Sequence, residues 1–294
     1  MHCLNLKITY ECTNNCQFCF SSYMKENVIY VDGLIEAIID GKKNGCNELI
    51  ISGGEPTLFP DVIIKLLIVA EECGYQKYII QTNGSGLANN FSLVSFLNDL
   101  SKTKEICISF SIHGHCSDIH DDMSSCEGAF DLLIKAMENV KKTSCKIYTN
   151  TVVSSLNIKH LKEIALLISS YKPDIMQFSM MHLDAPNELT TKLVDTANAI
   201  HELTSIVSKD ILKTEGIPFC LMYGIEECVG EAYWPESLDL YNKNDDYMHD
   251  FDQLDYGMRW KAENCRNCIM NEICSGIWKE HTDEFLSSDI HPIC

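Results

Sequence analysis

Two groups of cysteines carry the spacing of metal ligands. The first is Tyr10-Glu11-Cys12-Thr13-Asn14-Asn15-Cys16-Gln17-Phe18-Cys19, with spacing C-x3-C-x2-C; the second is Cys265, Cys268 and Cys274, with spacing C-x2-C-x5-C. Three thiolates on one short loop can hold three corners of a cubane iron–sulfur cluster, one thiolate to each iron. The fourth iron then has no protein ligand and stays open to a substrate or cofactor. Zinc is the alternative. Its structural sites take four protein ligands, and the first group supplies three. For the second group, a fourth thiolate would close the site, and spacing alone leaves zinc and a cluster level. Outside the two groups, Cys3, Cys46, Cys73, Cys107, Cys116, Cys126 and Cys145 stand in apolar or helical contexts, where a lone thiol packs as a small hydrophobe.

Two turns add to this chemistry. Ser52-Gly53-Gly54-Glu55-Pro56 offers glycines that let backbone approach a ligand closely and a carboxylate that can accept from an ammonium group. Gln81-Thr82-Asn83-Gly84 is a polar turn of the same kind.

The elements that must position these residues follow from hydrophobic periodicity. Strands are expected at 4–10, 47–52, 77–82, 105–111, 146–153 and 174–180. Helices are expected at 32–44 with Asp32 as N-cap, then at 60–74, 90–100, 127–142, 158–171 and near 189–209. Six strands alternating with helices imply parallel strands with right-handed crossovers. Six units are too few for a closed eight-stranded barrel, so the expected fold is α/β, a partial (βα)6 TIM-like barrel. Reactive groups in such folds lie at the C-terminal ends of the strands, where both turns and the first cysteine group stand. The rhythm stops near 210. The division expected is 1–209 for the barrel and 210–294 for a small cysteine-rich extension.

Composition bounds the function. The formal charge of −19 argues against gripping nucleic-acid phosphates. No stretch approaches the roughly 18 apolar residues of a membrane span, and residues 1–10 lack the pattern of a secretory signal. A cytosolic, reducing location is the expectation, in which clustered cysteines are ligands or catalysts rather than disulfides.

The first group, with aromatic Phe18 before Cys19, resembles the radical S-adenosylmethionine (radical SAM) superfamily, and the likeness runs over about residues 4–205. It implies a 4Fe–4S cluster on Cys12, Cys16 and Cys19 whose open iron binds the amino and carboxylate groups of S-adenosylmethionine (SAM). Reductive cleavage of SAM then gives a 5′-deoxyadenosyl radical that abstracts a substrate hydrogen. By the same likeness Gly53, Gly54, Glu55 and Pro56 form the motif that meets the SAM amino group, and Thr82 and Asn83 face the cavity nearby. Ser109 to Gly114 matches the end of the fourth strand. Many relatives bind the SAM carboxylate with an arginine near 120–130; none stands there, which leaves Ser111 as the candidate, with Asn150 reaching for the ribose.

The second group followed by Ser275-Gly276 is similar to the auxiliary-cluster (SPASM) extension of radical SAM enzymes. The full pattern continues to a cysteine at the place of Trp278, so a shortened, twitch-like extension with one auxiliary 4Fe–4S cluster is implied. Its fourth ligand is Cys220, Cys294 or Cys228, with Cys220 preferred. Relatives with such extensions modify ribosomally made peptides by crosslinking or epimerisation; others oxidise small molecules such as aminocyclitols. The motif begins at Cys12, so a peptide would need a separate recognition protein or direct barrel contact. An external electron donor is implied as well. Cys116, Cys126, His113, Tyr148 and Asp184 are unranked hydrogen or proton donors. A zinc-binding interaction protein is the reading of another class.

Overall fold

The computed structural model describes residues 2–19, 21, 29–182, 186–233, 237–242, 245–248, 258–287 and 293. Two of the residues singled out above, Asp184 and Cys294, lie outside that set.

Strands β1 (His2–Thr9), β2 (Glu48–Gly53), β3 (Lys77–Thr82), β4 (Glu105–Ser111), β5 (Lys146–Val153), β6 (Ile175–Met180) and β7 (Leu212–Glu215) lie side by side in chain order. Between them run α1 (Val31–Lys43), α2 (Pro60–Glu72), α3 (Phe91–Leu100), α4 (Ser117–Ser124), α5 (Ala129–Val140), α6 (Leu161–Ser169) and α7 (Leu193–Leu203). This is the expected α/β partial barrel, built on a parallel sheet of seven strands rather than six. The seventh, Leu-Lys-Thr-Glu, is too short to show as a periodic pattern. It pairs with β6 through Met176–Leu212 to Ser179–Glu215.

Contacts divide the chain into two compact units, Met1–Ser111 with Cys116–Tyr148 and Pro235–Asp252, and Ile112–His115 with Thr149–Trp234 and Gln253–Cys294. In the first, β8 (Ser237–Asn242) adds to β1 as a further parallel strand, and β9 (Asp245–Met248) turns back on it. The second holds a short ribbon of β10 (Arg259–Trp260) and β11 (Ile277–Trp278), followed by α8 (Thr282–Ser287). Beyond residue 210 the sequence therefore builds more strand than its polar composition announces.

Each unit keeps the same division of faces. In the first, Leu4, Leu6, Ile8, Leu49, Ile51, Tyr78, Ile80, Ile108 and Phe110 are fully buried. The alternate positions Asn5, Lys7, Ser109 and Ser111 are polar and half-buried, and Gln81 is exposed. A parallel sheet covered on both faces would be apolar on both; here only one face is covered, and the inner face stays polar. In the second unit Thr149, Thr151, Met176, Phe178, Leu212 and Thr214 are buried, while Asn150, Gln177 and Glu215 remain half-open on the other face.

Helix boundaries shift slightly from expectation. Helix α1 starts one residue early, so Asp32 sits in its first turn, where it complements the dipole, rather than at the cap. Asn90 caps α3 by accepting from Leu93 N at 2.9 Å. Residues 158–160 form a tight 3₁₀ turn before α6. Helix α4 has no counterpart in the expected elements: Ser-Asp-Ile-His-Asp-Asp-Met-Ser carries no apolar stripe.

Candidate active site

Strand β1 delivers the chain into the loop that bears the first three thiols. All three are free; Cys12 and Cys19 are exposed and Cys16 is half-buried. Asn14 N and Asn83 Nδ2 lie 3.4 and 3.6 Å from Cys12 Sγ, so two N–H groups point at that sulfur. Burial pushes the Cys16 thiol up to about 12, and the neighbouring Cys12 and Cys19 add to the rise. Like-charge crowding of this kind is what a cationic cluster core relieves.

The loop is tied down on two sides. Towards β3, Asn83 Nδ2 donates to Thr13 Oγ1 at 3.0 Å, and Thr13 Oγ1 donates to Ser85 Oγ at 3.0 Å. Towards α4, Asn15 N donates to Ser124 O at 2.9 Å, Gln17 N to Met123 O at 3.2 Å, and Gln17 Nε2 to Asp122 O at 2.9 Å. The last turn of α4 thus offers its orphan carbonyls to the thiol-bearing loop. Sequence reasoning missed this helix entirely. An acidic, stripe-free segment gives no periodic signal, and the one available cue was its position after β4.

The glycine pair packs closely on the chain leaving β1. Gly54 N donates to Thr9 O and Glu55 N to Glu11 O, both at 2.7 Å. A Cβ on Gly53 would lie 2.1 Å from Thr9 O, and one on Gly54 2.2 Å from Glu11 O. Gly53 also has φ +126°, a region that side chains avoid. The close approach these glycines permit is to the chain leaving β1.

Glu55 is fully buried. Its Oε1 accepts from Thr57 N at 2.9 Å, Thr82 Oγ1 at 2.7 Å and the Thr57 hydroxyl, and its Oε2 accepts from Asn83 N at 2.6 Å. Burial raises the carboxyl, and the hydrogen bonds from Thr57, Thr82 and Asn83 oppose that rise. Three of these bonds fall on Oε1 and one on Oε2, and Glu55 locks the turn after β2 to the turn after β3. Pro56 opens the short turn Pro56–Leu58 and is buried. Ser111, one residue past the Phe110 that pairs with Thr82, is half-buried, as is Phe18. Asn150 Oδ1 lies 2.7 Å from Ser179 Oγ.

Of the candidate donors, His113 is buried and its Nδ1 accepts from Val152 N at 3.3 Å. Cys116, Cys126 and Tyr148 are half-buried on separate segments.

The second cysteine group lies in the second unit. Cys220, Cys265, Cys268 and Cys274 are all free and line one cavity of about 440 Å³, counted to its open mouth. Phe219, Ile277 and Phe285 form apolar parts of its wall. Burial lifts the Cys220 thiol to about 12, reinforced by Cys274, Cys265 and Cys268. Cys228 does not line this cavity; it is buried with its sulfur 3.9 Å from Lys209 O. At the position where a longer pattern has cysteine, Trp278 is packed instead. The His182 ring stacks on it at 4.3 Å, the Arg259 guanidinium carbon sits 3.3 Å from its ring centre, and Arg259 reaches Glu231 at 3.5 Å.

Both donor sets fit an iron–sulfur cluster in being all-sulfur and free. Among the described residues no three His, Cys, Asp or Glu side chains are placed to hold one metal ion. A single zinc draws thiolates to about 2.3 Å of one point, whereas a cubane takes each on a different iron.

Comparison with known proteins agrees in fold and family. The AdoMet-dependent heme synthase of Methanosarcina barkeri is 27% identical over 158 residues, which is 53% of this chain and 43% of that protein. The chain thus spans under half the length of the curated relative it matches. Among solved structures, Streptococcus suis SuiB bound to S-adenosylmethionine superposes with TM-score 0.68 at 19% identity, over 99% of this chain and 76% of that one. Native anSMEcpe with bound AdoMet and Cp18Cys peptide gives 0.70 at 15% identity, over 99% and 92%. Residues 6–168, more than half of the chain, match the Radical SAM superfamily, whose members use a 4Fe–4S cluster and S-adenosylmethionine. The chain belongs to the radical SAM superfamily.

Proposed function

We propose that this enzyme modifies a ribosomally synthesised peptide, by crosslinking or epimerisation, and that it carries an auxiliary cluster. The observation that carries the reading is the cavity that Cys220, Cys265, Cys268 and Cys274 line together. Four free thiols fit one further 4Fe–4S cluster, and Cys220 is the fourth ligand. In functional terms the barrel runs through β7, and the auxiliary-cluster cysteines follow it from Cys220 onward. Similarity to SuiB, also solved with its precursor peptide SuiA, supports the peptide as substrate.

Cys12, Cys16 and Cys19 hold the first cluster, with the loop fixed by Thr13, Asn83 and α4. When bound, cluster and SAM supply a 5′-deoxyadenosyl radical for hydrogen abstraction. Gly53, Gly54, Glu55 and Pro56 shape the turn beside SAM, Thr82 and Asn83 brace it, and Phe18, Ser111 and Asn150 complete the contacts. An external electron donor in the cytosol reduces the enzyme, and a separate protein presents the peptide. A second reading, oxidation of a small molecule, is favoured by the likeness to the heme synthase. Family membership leaves no ground for the interaction-protein reading.

Anaerobic purification tests the reading. About eight irons per chain are expected for two cubanes, with reductive cleavage of SAM that Cys16→Ala abolishes. A co-expressed precursor peptide should lose about two hydrogens on crosslinking, or gain a D-residue at unchanged mass. Cleavage by Cys16→Ala would refute the first cluster, and zinc without visible charge-transfer absorption would refute both.

A further inference from the structure

The inner face of β5, β6 and β7 carries a polar network that the assignments above leave unused apart from Asn150. Glu215 closes β7, Ser179 is its register partner on β6, Gln177 lies two residues before Ser179, and Asn150 stands on β5. Gln177 Nε2 donates to Glu215 Oε2 at 2.9 Å, and Ser179 Oγ lies 2.8 Å from the same oxygen and 2.7 Å from Asn150 Oδ1. Ser179 has one proton for two acceptors. The network is consistent when that proton goes to Glu215 and the Asn150 amide is turned so that its NH₂ donates to Ser179.

The carboxylate is thus held by one oxygen. Its Oε1 has no hydrogen-bond partner among the described residues, and no lysine, arginine or histidine of that set pairs with Glu215. Lys213, on the same face, donates instead to Lys209 O at 3.3 Å and Glu227 O at 2.9 Å. The residue is half-buried, so its charge is only partly hydrated. Nearby Glu231 adds repulsion rather than relief: burial pushes it up to about 7, and Glu215 contributes to that rise against Arg259. A fixed, half-buried carboxylate with one oxygen left unengaged among the described residues is an arrangement that ligand binding completes.

We propose that Glu215 anchors a positively charged group of the substrate, a primary ammonium or a guanidinium, against the inner face of β5 to β7. This rests on the reading of the chain as a substrate-modifying radical SAM enzyme and narrows its substrate to one bearing a cationic group. The formal charge of −19 suits such a ligand.

The source of the cation is a lysine or arginine residue of a peptide or an amine of a small molecule. Ligand-observed NMR titration of the anaerobic holoenzyme with SAM separates them, using Nα-acetyl-lysine amide, the uncharged isostere Nα-acetyl-norleucine amide, and streptamine as probes. The lysine probe should bind about ten-fold more tightly than the norleucine probe, and Glu215→Gln should erase that preference. Streptamine binding that depends on Glu215, with no lysine preference, assigns the site to a small-molecule amine. Should Glu215→Gln not fold, Gln177→Met, which removes one holding donor, should cut the preference several-fold. Equal binding of lysine and norleucine probes without streptamine binding, no binding of any probe, or a preference that survives the substitutions overturns the proposal. SAM cleavage by the wild type in the same samples keeps the two questions apart: without it the radical reading fails, and with it only the cation site does.

Discussion

Replacing Gly54 by alanine asks what the glycine pair is for. Its added Cβ would meet Glu11 O at 2.2 Å and the Tyr10 and Glu11 carbonyl carbons at 2.7 Å. That is roughly 1 Å inside van der Waals contact, and the obstacle is backbone, which cannot swing aside. The strands must separate by about that much. The bonds from Gly54 N to Thr9 O and from Glu55 N to Glu11 O, both 2.7 Å, then stretch beyond useful length. Two net hydrogen bonds at about 1 kcal/mol each, plus part of the penalty for stranding their donors, total about 3 kcal/mol. For a protein of this size that is a fall in melting temperature of about 5 °C. Circular dichroism melting of the apoprotein, prepared with chelator, reads the effect directly. If the glycines serve ligand approach instead, Gly54→Ala should leave the apoprotein within about 2 °C of wild type and weaken SAM binding alone. That outcome would refute the close-packing argument.

Cys220→Ser should halve the iron content from about eight to about four per chain, whereas Cys228→Ser should leave it unchanged; the reverse result would move the auxiliary site. Thr82→Val removes a donor to the buried Glu55 and the acceptor of Gly84 N, and should lower stability in urea by about 2 kcal/mol; an unchanged midpoint would show the Glu55 lock to be idle. His120, buried in α4, is depressed from 6.5 to about 4 by burial. The unfolded chain therefore binds a proton below pH 6.5 that the folded chain refuses until about pH 4. Its contribution is intact above pH 6.5 and is lost as pH falls through that window, about 3 kcal/mol in all. Urea midpoints at about pH 5 and 7 should differ accordingly, and His120→Gln should flatten the difference; a slope that persists would assign it to other groups.

The positions of β3, β4 and β5 were legible from their apolar runs, and the turns after β2 and β3 from Gly53-Gly54 and Asn83-Gly84. The thiols were legible because metal ligation demands fixed residue types at fixed spacing. Helix α4, β7 and β8 were not, for a shared reason: each is short and lacks a stripe of its own, and is held by neighbours distant in sequence. Glu55 shows the limit differently. Its place in the turn is readable, but that its carboxylate faces Thr57, Thr82 and Asn83 depends on β3 lying beside β2. Cys220 joins Cys265 across a separation that no local pattern encodes, and Trp278 is visible only as a missing cysteine until Arg259 and His182 close on it.

The anchoring of the thiol loop to the end of α4 has a consequence for biosynthesis. Cys12, Cys16 and Cys19 leave the ribosome well before α4, since Gln17 finds Asp122 only 105 positions later. At typical elongation speeds that is a delay of about 5–20 s. Through that interval the loop lacks half of its supports, and its thiols are exposed to stray metals and oxidants. The strand order also puts β2 and β3, which fix the loop's other side, ahead of α4. Assembly of the first site is therefore late and sequential, and iron–sulfur delivery has to be timed to a nascent chain already extended through α4.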